Sequence, residues 1–176
     1  MTEPHSLNCA ADVDVLVGGG GPAGSAAALA AARNGARTLV VEQFNCLGGV
    51  ATAGGHGHIS RYDEQGTRRR IAGGIAYEIY RRVVDGGFGI GASLGIWFEV
   101  EPLKRLLEVM AGEAGVELLY YTFFCESIVA DGRVVGAVIQ NKSGRQVIRA
   151  RRVIDCTGDG DAAASAGAPW EMGRPS

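Results

Sequence analysis

Residues 11–42 read ADVDVLVGGGGPAGSAAALAAARNGARTLVVE, and the order of residue types along them decides the fold. In Val13 to Val17 the residues Val13, Val15, Leu16 and Val17 are apolar and mostly branched, which predicts a short buried strand. Gly18 to Gly21, Pro22, Ala23 and Gly24 follow, then an Ala-rich run from Ser25 to Arg33 with high helix propensity. Asn34-Gly35 ends that helix, because both residues accept the left-handed conformation of a helix terminus. A second apolar run, Thr38 to Val41, ends on Glu42. Strand, glycine turn, helix and strand make a βαβ unit.

The glycine register that fits a dinucleotide fingerprint is Gly19, Gly21 and Gly24. Gly19 permits the tight turn out of the strand, Gly21 lets the backbone approach a pyrophosphate, and Gly24 lets the helix pack closely on the sheet. Pro22 suits the first helical turn, where its missing N–H would have no intrahelical partner. From Ala23 onward the free N–H groups and the positive end of the helix dipole face the phosphates. Glu42 stands about 20 residues past the fingerprint, where a carboxylate takes the hydroxyls of an adenosine ribose. A lone fingerprint in a glycine-rich chain is weak, but here the strand, the helix and the acid agree.

With 176 residues the chain is long enough for one domain with its own core. Its net charge of -2 gives no argument for nucleic acid or an anionic membrane surface. The 28 glycines are twice the usual share of about 7%, as expected where backbone lies against a large ligand. Cys9, Cys46, Cys125 and Cys156 form no CxxC pair, so neither a zinc site nor a vicinal disulfide is indicated. They read as reduced thiols of a cytoplasmic protein. The first residues, MTEPHSLNCAAD, lack the basic start and apolar core of a signal peptide. Residues 1–11 read as a disordered lead-in, and 12–176 as the folded domain.

Directly after Glu42 comes QFNCLGGVATAGG, residues 43–55. ExxxxLGGxAT behind a GGGPAG fingerprint resembles the FAD-dependent oxidoreductases of the glutathione-reductase-like structural class. The resemblance implies that Gly48, Gly49 and Thr52 are FAD contacts. His56, His58, Ser60 and Arg61 would then come near the flavin end, although loop histidines bonded locally are the plainer reading. Two histidines at i, i+2 without a thiol or carboxylate partner make a poor metal site, so no metal is expected. Tyr62 to Arg70 reads as a charged surface loop, with Thr67, Arg68, Arg69 and Arg70 on a solvated face.

Ile71 to Val84 carries apolar residues spaced for one side of a helix that Gly86-Gly87 ends, and a loose glycine-rich segment runs on to Ile96-Trp97-Phe98. Glu101-Pro102 opens another helix with the stripe Leu103, Leu106, Leu107 and Met110. Val116 to Tyr121 reads as a strand parallel to the first two. Glu126 to Ala130, Arg133 to Gln140 and Arg145 to Ala150 follow as an antiparallel meander, turned at Asp131-Gly132 and at Asn141 to Gly144. A meander in place of a crossover helix favours FAD over free NAD by the same resemblance. The fold class expected is α/β, a Rossmann-like parallel sheet with an antiparallel β-meander crossover.

Val153 to Asp161 reads VIDCTGDGD and closes the sheet. The form DxTGDGDxAxxAGAP strengthens the resemblance, which implies that Thr157, Gly158 and Asp159 meet the cofactor. Asp159 or Asp161 is equally suited to cap the helix beginning at Ala162. Flavoproteins of this class continue past that segment into a substrate domain. The chain is therefore expected to be an N-terminal portion with its catalytic residues unassigned. Three readings stay open: the FAD-binding portion of an oxidoreductase acting on a small organic substrate, a non-catalytic nucleotide-binding module, and an NAD-dependent dehydrogenase domain.

Overall fold

The computed structural model describes residues 7–60, 62–64, 67, 69–92 and 95–173. Strand β1, Cys9–Gly18, is longer than the five-residue run and begins within the expected lead-in. Its first residues are ordered by pairing, since Cys9 lies beside Val147 and Ala11 beside Ile148 of a neighbouring strand. Residues 1–6 of that lead-in, and residues 174–176, fall outside the described residues.

Helix α1, Pro22–Arg33, ends at Asn34, and Gly35 takes φ +87° as its composition requires. Strand β2, Thr38–Val41, runs parallel to β1 and is buried throughout. A 3-10 turn covers Gly49–Ala51. Next come β3, His58–Ser60, then α2, Gly74–Asp85, β4, Gly89–Ala92, and β5, Gly95–Phe98. Helix α3, Val100–Ala114, buries Leu103, Leu107 and Met110 and ends at Gly115 with φ +73°. Then follow β6, Glu117–Leu119, β7, Phe123–Ala130, β8, Arg133–Asn141, β9, Gly144–Asp155, and the short α4, Asp161–Ser165.

The main sheet has the order β6-β2-β1-β9-β8-β7. Pairs β6·β2, β2·β1 and β1·β9 are parallel, while β9·β8 and β8·β7 are antiparallel. This is the expected parallel sheet with an antiparallel meander, with one change of detail. The third meander strand and the closing strand, expected as separate elements, are one continuous β9. Its first half pairs with β8, and most of its length pairs with β1. Alternation in β2 builds both faces: Val40 joins Val17, Ala28, Leu103 and Leu107 on the helix side, whereas Leu39 and Val41 join Leu16, Ala137, Ile139 and Ile148 under the meander.

Two expectations for the middle of the chain are corrected. The segment after Gly86-Gly87 is not loose, because β4 and β5 pair antiparallel and β3 joins them in a second, three-stranded sheet. Its glycines allow close packing: a Cβ on Gly91 would lie 2.2 Å from the Tyr80 hydroxyl, and one on Gly89 would lie 2.3 Å from Val83. Tyr62 is also not on the surface. It is buried against Tyr80 with ring centroids 4.8 Å apart, while Asp63 and Arg70 bridge the loop ends. Arg61 and Arg68 lie outside the described residues. No helix among the described residues is long and apolar enough to cross a membrane.

Candidate functional site

The glycine turn leaves β1 where the strand order changes side, with β2 on one flank of β1 and β9 on the other. Clefts at such points collect ligands in open α/β sheets. The three fingerprint glycines stand in different surroundings. Gly19 has φ +98°, and an added Cβ would fall 2.3 Å from the Cys156 carbonyl oxygen. A Cβ on Gly24 would fall 1.8 Å from the Gly19 carbonyl oxygen, so the helix sits against the turn backbone to backbone. Gly21 is the opposite case: an added Cβ would meet nothing within 4 Å. The space in front of it is open cleft.

That cleft has a volume of about 750 Å3. Gly19, Gly21, Pro22, Ala23, Glu42, Gly49, Thr157, Gly158 and Asp159 all line it. Gly24, Gly48 and Thr52 do not. Gly24 is buried beneath the turn. Gly48, at φ +99°, donates its N–H to the Gly20 carbonyl at 2.8 Å and so docks the LGG loop onto the turn. Thr52 is buried and donates its hydroxyl to the Leu47 carbonyl at 2.5 Å, which folds that loop. Gly49 completes the contact: a Cβ there would lie 2.9 Å from the Gly21 Cα.

Glu42 is buried, and both its oxygens accept main-chain hydrogen bonds. Oε2 accepts from Gly20 N–H and Oε1 from Phe44 N–H, each at 2.7 Å. A carboxylate has about four lone-pair sites, so acceptor capacity is left over for the hydroxyls of a sugar. At the start of α1, Pro22 has no N–H, and the N–H groups of Ala23 and Gly24 precede any intrahelical acceptor.

The opposite wall is Cys156 to Asp159. Cys156 donates its N–H to the Gly18 carbonyl at 2.8 Å, which presses this wall against the glycine turn. Asp155 holds the turn. Its Oδ1 accepts from the Thr157 N–H at 3.1 Å and the Thr157 hydroxyl at 2.7 Å, and its Oδ2 accepts from the Ala163 N–H at 2.8 Å. Burial pushes the Asp155 carboxyl up, but the Ala163 and Thr157 hydrogen bonds outweigh it and hold it below its ordinary value. Capping of α4 therefore differs from expectation. The first N–H groups go to Thr157 Oγ1, 2.9 Å from the Asp161 nitrogen, and to Asp155, not to the side chains of Asp159 or Asp161.

Sequence reasoning missed the aromatic wall. Phe44, Phe123 and Phe124 line the cleft, and Phe124 packs over Gly18, where a Cβ would lie 2.9 Å from its ring. A tight turn after β6 places Phe123 and Phe124: Tyr121 takes φ +51°, and the Thr122 N–H reaches the Glu42 carbonyl at 3.0 Å. Tyr-Thr-Phe-Phe carries no turn residue, so nothing in its composition announces that turn. Asp155 was also passed over, although an acid two residues before a Thr-Gly is a recognisable Asx-turn pattern.

His56 and His58 do not line the cleft. His58 lies in β3 and faces Trp97 with ring centroids 4.2 Å apart. Among the described residues no group of three or more His, Cys, Asp or Glu side chains is placed to hold a metal ion.

Known proteins share this arrangement. The sequence model of a family described as FAD dependent oxidoreductase matches residues 14–176. A digeranylgeranylglycerophospholipid reductase of Methanopyrus kandleri is 35% identical over 156 residues, covering 84% of this chain and 40% of the relative. A thiamine thiazole synthase of Aeropyrum pernix is 35% identical over 159 residues, covering 82% of this chain and 54% of the relative. The chain thus spans about half the length of these relatives or less. Among solved structures, a geranylgeranyl bacteriochlorophyll reductase-like protein of Thermoplasma acidophilum superposes with a TM-score of 0.66 at 25% identity, covering 89% of this chain and 42% of that one. A 3-ketosteroid-delta4-(5alpha)-dehydrogenase of Rhodococcus jostii shares the fold, with a TM-score of 0.61 at 22% identity over 84% of this chain and 46% of that one. The chain belongs to the FAD dependent oxidoreductase family, whose cofactor is FAD.

Proposed function

We propose that the chain is the FAD-binding portion of a flavin-dependent oxidoreductase that moves hydride or electrons between a small organic substrate and the cofactor. The observation that carries this reading is the open space at Gly21, framed by the α1 terminus on one side and the Glu42 carboxylate on the other. The N–H group of Ala23 and the positive end of α1 would hold the diphosphate. Glu42 would take the ribose hydroxyls with its remaining lone pairs, and Phe44 and Phe123 offer apolar faces to the base. The Gly49 to Gly54 side of the cleft would lead toward the flavin. Thr157, Gly158 and Asp159 form the facing wall, while Gly24, Gly48 and Thr52 act from behind by fixing the turn and the loop docked on it.

FAD, when bound, would supply hydride chemistry, and the residues of this chain would hold its diphosphate and ribose and orient it. No residue of the chain is assigned a proton-transfer role. We place the protein in the cytoplasm, a reading supported by its four free cysteines. The residues 12–176 would act as the cofactor domain, with substrate selection resting on groups the cleft itself does not supply. Absorbance of the purified protein tests the reading. A flavin band that survives gel filtration, or develops on adding FAD, supports it. A colourless protein that binds ADP but no flavin would favour the non-catalytic nucleotide module.

A further inference from the structure

Among the described residues, no cationic side chain lines the cleft that the proposed reading fills with a diphosphate. Its lining among the described residues includes Glu42, Asp159 and Asp161 but no Lys, Arg or His. Glu42 is buried and engaged by two N–H groups. Asp159 and Asp161 are exposed on the facing wall. Asp155 stands directly behind that wall, and its hydrogen bonds favour its charged form.

The attractive groups are the short-range N–H donors at the start of α1, which act at contact distance and are little affected by salt. The repulsive groups are solvated carboxylates, whose field is screened over a Debye length of about 10 Å at 0.1 M salt and about 3 Å at 1 M. A site of this kind responds to ionic strength in the opposite sense from one lined by Arg and Lys. It also penalises each additional phosphate on a ligand.

The geometry points to Asp159 and Asp161 as a charge filter: they oppose anionic ligands, so the cleft favours a dinucleotide, whose only phosphates are the bridging diphosphate, over nucleotides with terminal or ribose phosphates. This inference rests on the nucleotide reading above and adds a specificity to it. Neither carboxylate is engaged in the hydrogen bonds that hold the wall, which run through Asp155 and Thr157. Neutralising either one therefore leaves the wall intact and removes only charge.

The test is calorimetric titration of the full chain with ADP, ATP and ADP-ribose, in metal-free buffer at about 50 and about 500 mM KCl. The expected order of affinity at low salt is ADP-ribose, then ADP, then ATP, and ADP should tighten by about threefold at the higher salt. Asp159→Asn and Asp161→Asn should each tighten ADP by about two- to fivefold at low salt and flatten the salt response. Asp131→Asn, the same charge change at the distant β7–β8 turn, should leave ADP affinity as it is. Weaker ADP binding at high salt would overturn the filter, as would ADP affinity that is unchanged or reduced in both cleft variants. Failure of all three nucleotides to bind at either salt concentration would instead overturn the nucleotide reading, and the filter with it.

Discussion

The Oε2 atom of Glu42 lies 2.7 Å from the backbone nitrogen of Gly20, so the acid at the end of β2 is bonded to the glycine turn at the end of β1. The same side chain accepts from Phe44 N–H, which ties together the turn, the strand end and the first aromatic of the cleft. One residue thus shapes the site and, on our proposal, reads the ribose.

Glu42→Gln is the first prediction. A glutamine keeps the size but offers one acceptor oxygen where two are used, and turns an NH2 group toward an N–H donor. Leaving a buried donor unsatisfied costs about 1–3 kcal/mol. We expect that loss of stability in urea denaturation, with ADP affinity reduced about tenfold or more. Unchanged stability would show that the two hydrogen bonds are not both made in solution.

Gly24→Ala is the second. The added methyl would sit 1.8 Å from the Gly19 carbonyl oxygen, and its neighbour is backbone, which has no rotamer to change. Overpacking of this kind costs about 2 kcal/mol and should lower the melting temperature by about 4–8 °C. Melting within a degree of the wild type would mean that α1 stands off the turn.

The third concerns acid. Asp155 titrates below its ordinary value because its hydrogen bonds from Ala163 and Thr157 prevail over burial. It therefore adds stability that is complete above the unfolded value of 3.8 and is lost as pH falls through the lower folded value. Asp155→Asn should be less stable than wild type at neutral pH. The difference should narrow as the pH drops below that window, read by denaturant midpoints across an acid series. A constant difference at every pH would assign the loss to packing alone.

How much of this was legible beforehand depends on the scale of the signal. Branched apolar runs, the glycine register and Glu42 form a local pattern, and it carried the βαβ unit and the meander; nine of the twelve residues singled out for the cofactor line the cleft. The contribution of Phe123 and Phe124 was not legible, because a positive φ at Tyr121 is imposed by pairing with residues some eighty positions away, through Thr122 and Glu42. The part Thr52 plays in its own loop was hidden for a related reason. A hydroxyl in a glycine-rich loop suits a ligand and a loop carbonyl equally well, and only the folded loop shows that Leu47 takes it. The strands at Gly89–Phe98 were hidden because their glycines, which argue against strand in isolation, are the residues that let β4 pack on α2.

The most direct test of the FAD reading is titration of wild type and Gly21→Ala with FAD, followed by flavin absorbance and by melting temperature. The alanine keeps an allowed backbone, at φ −61° and ψ −171°, and projects into open cleft. We predict a variant that melts within about 3 °C of the wild type yet binds FAD at least about tenfold more weakly. FAD binding by Gly21→Ala that equals the wild type, in a protein equally well folded, would contradict a diphosphate lying against that turn.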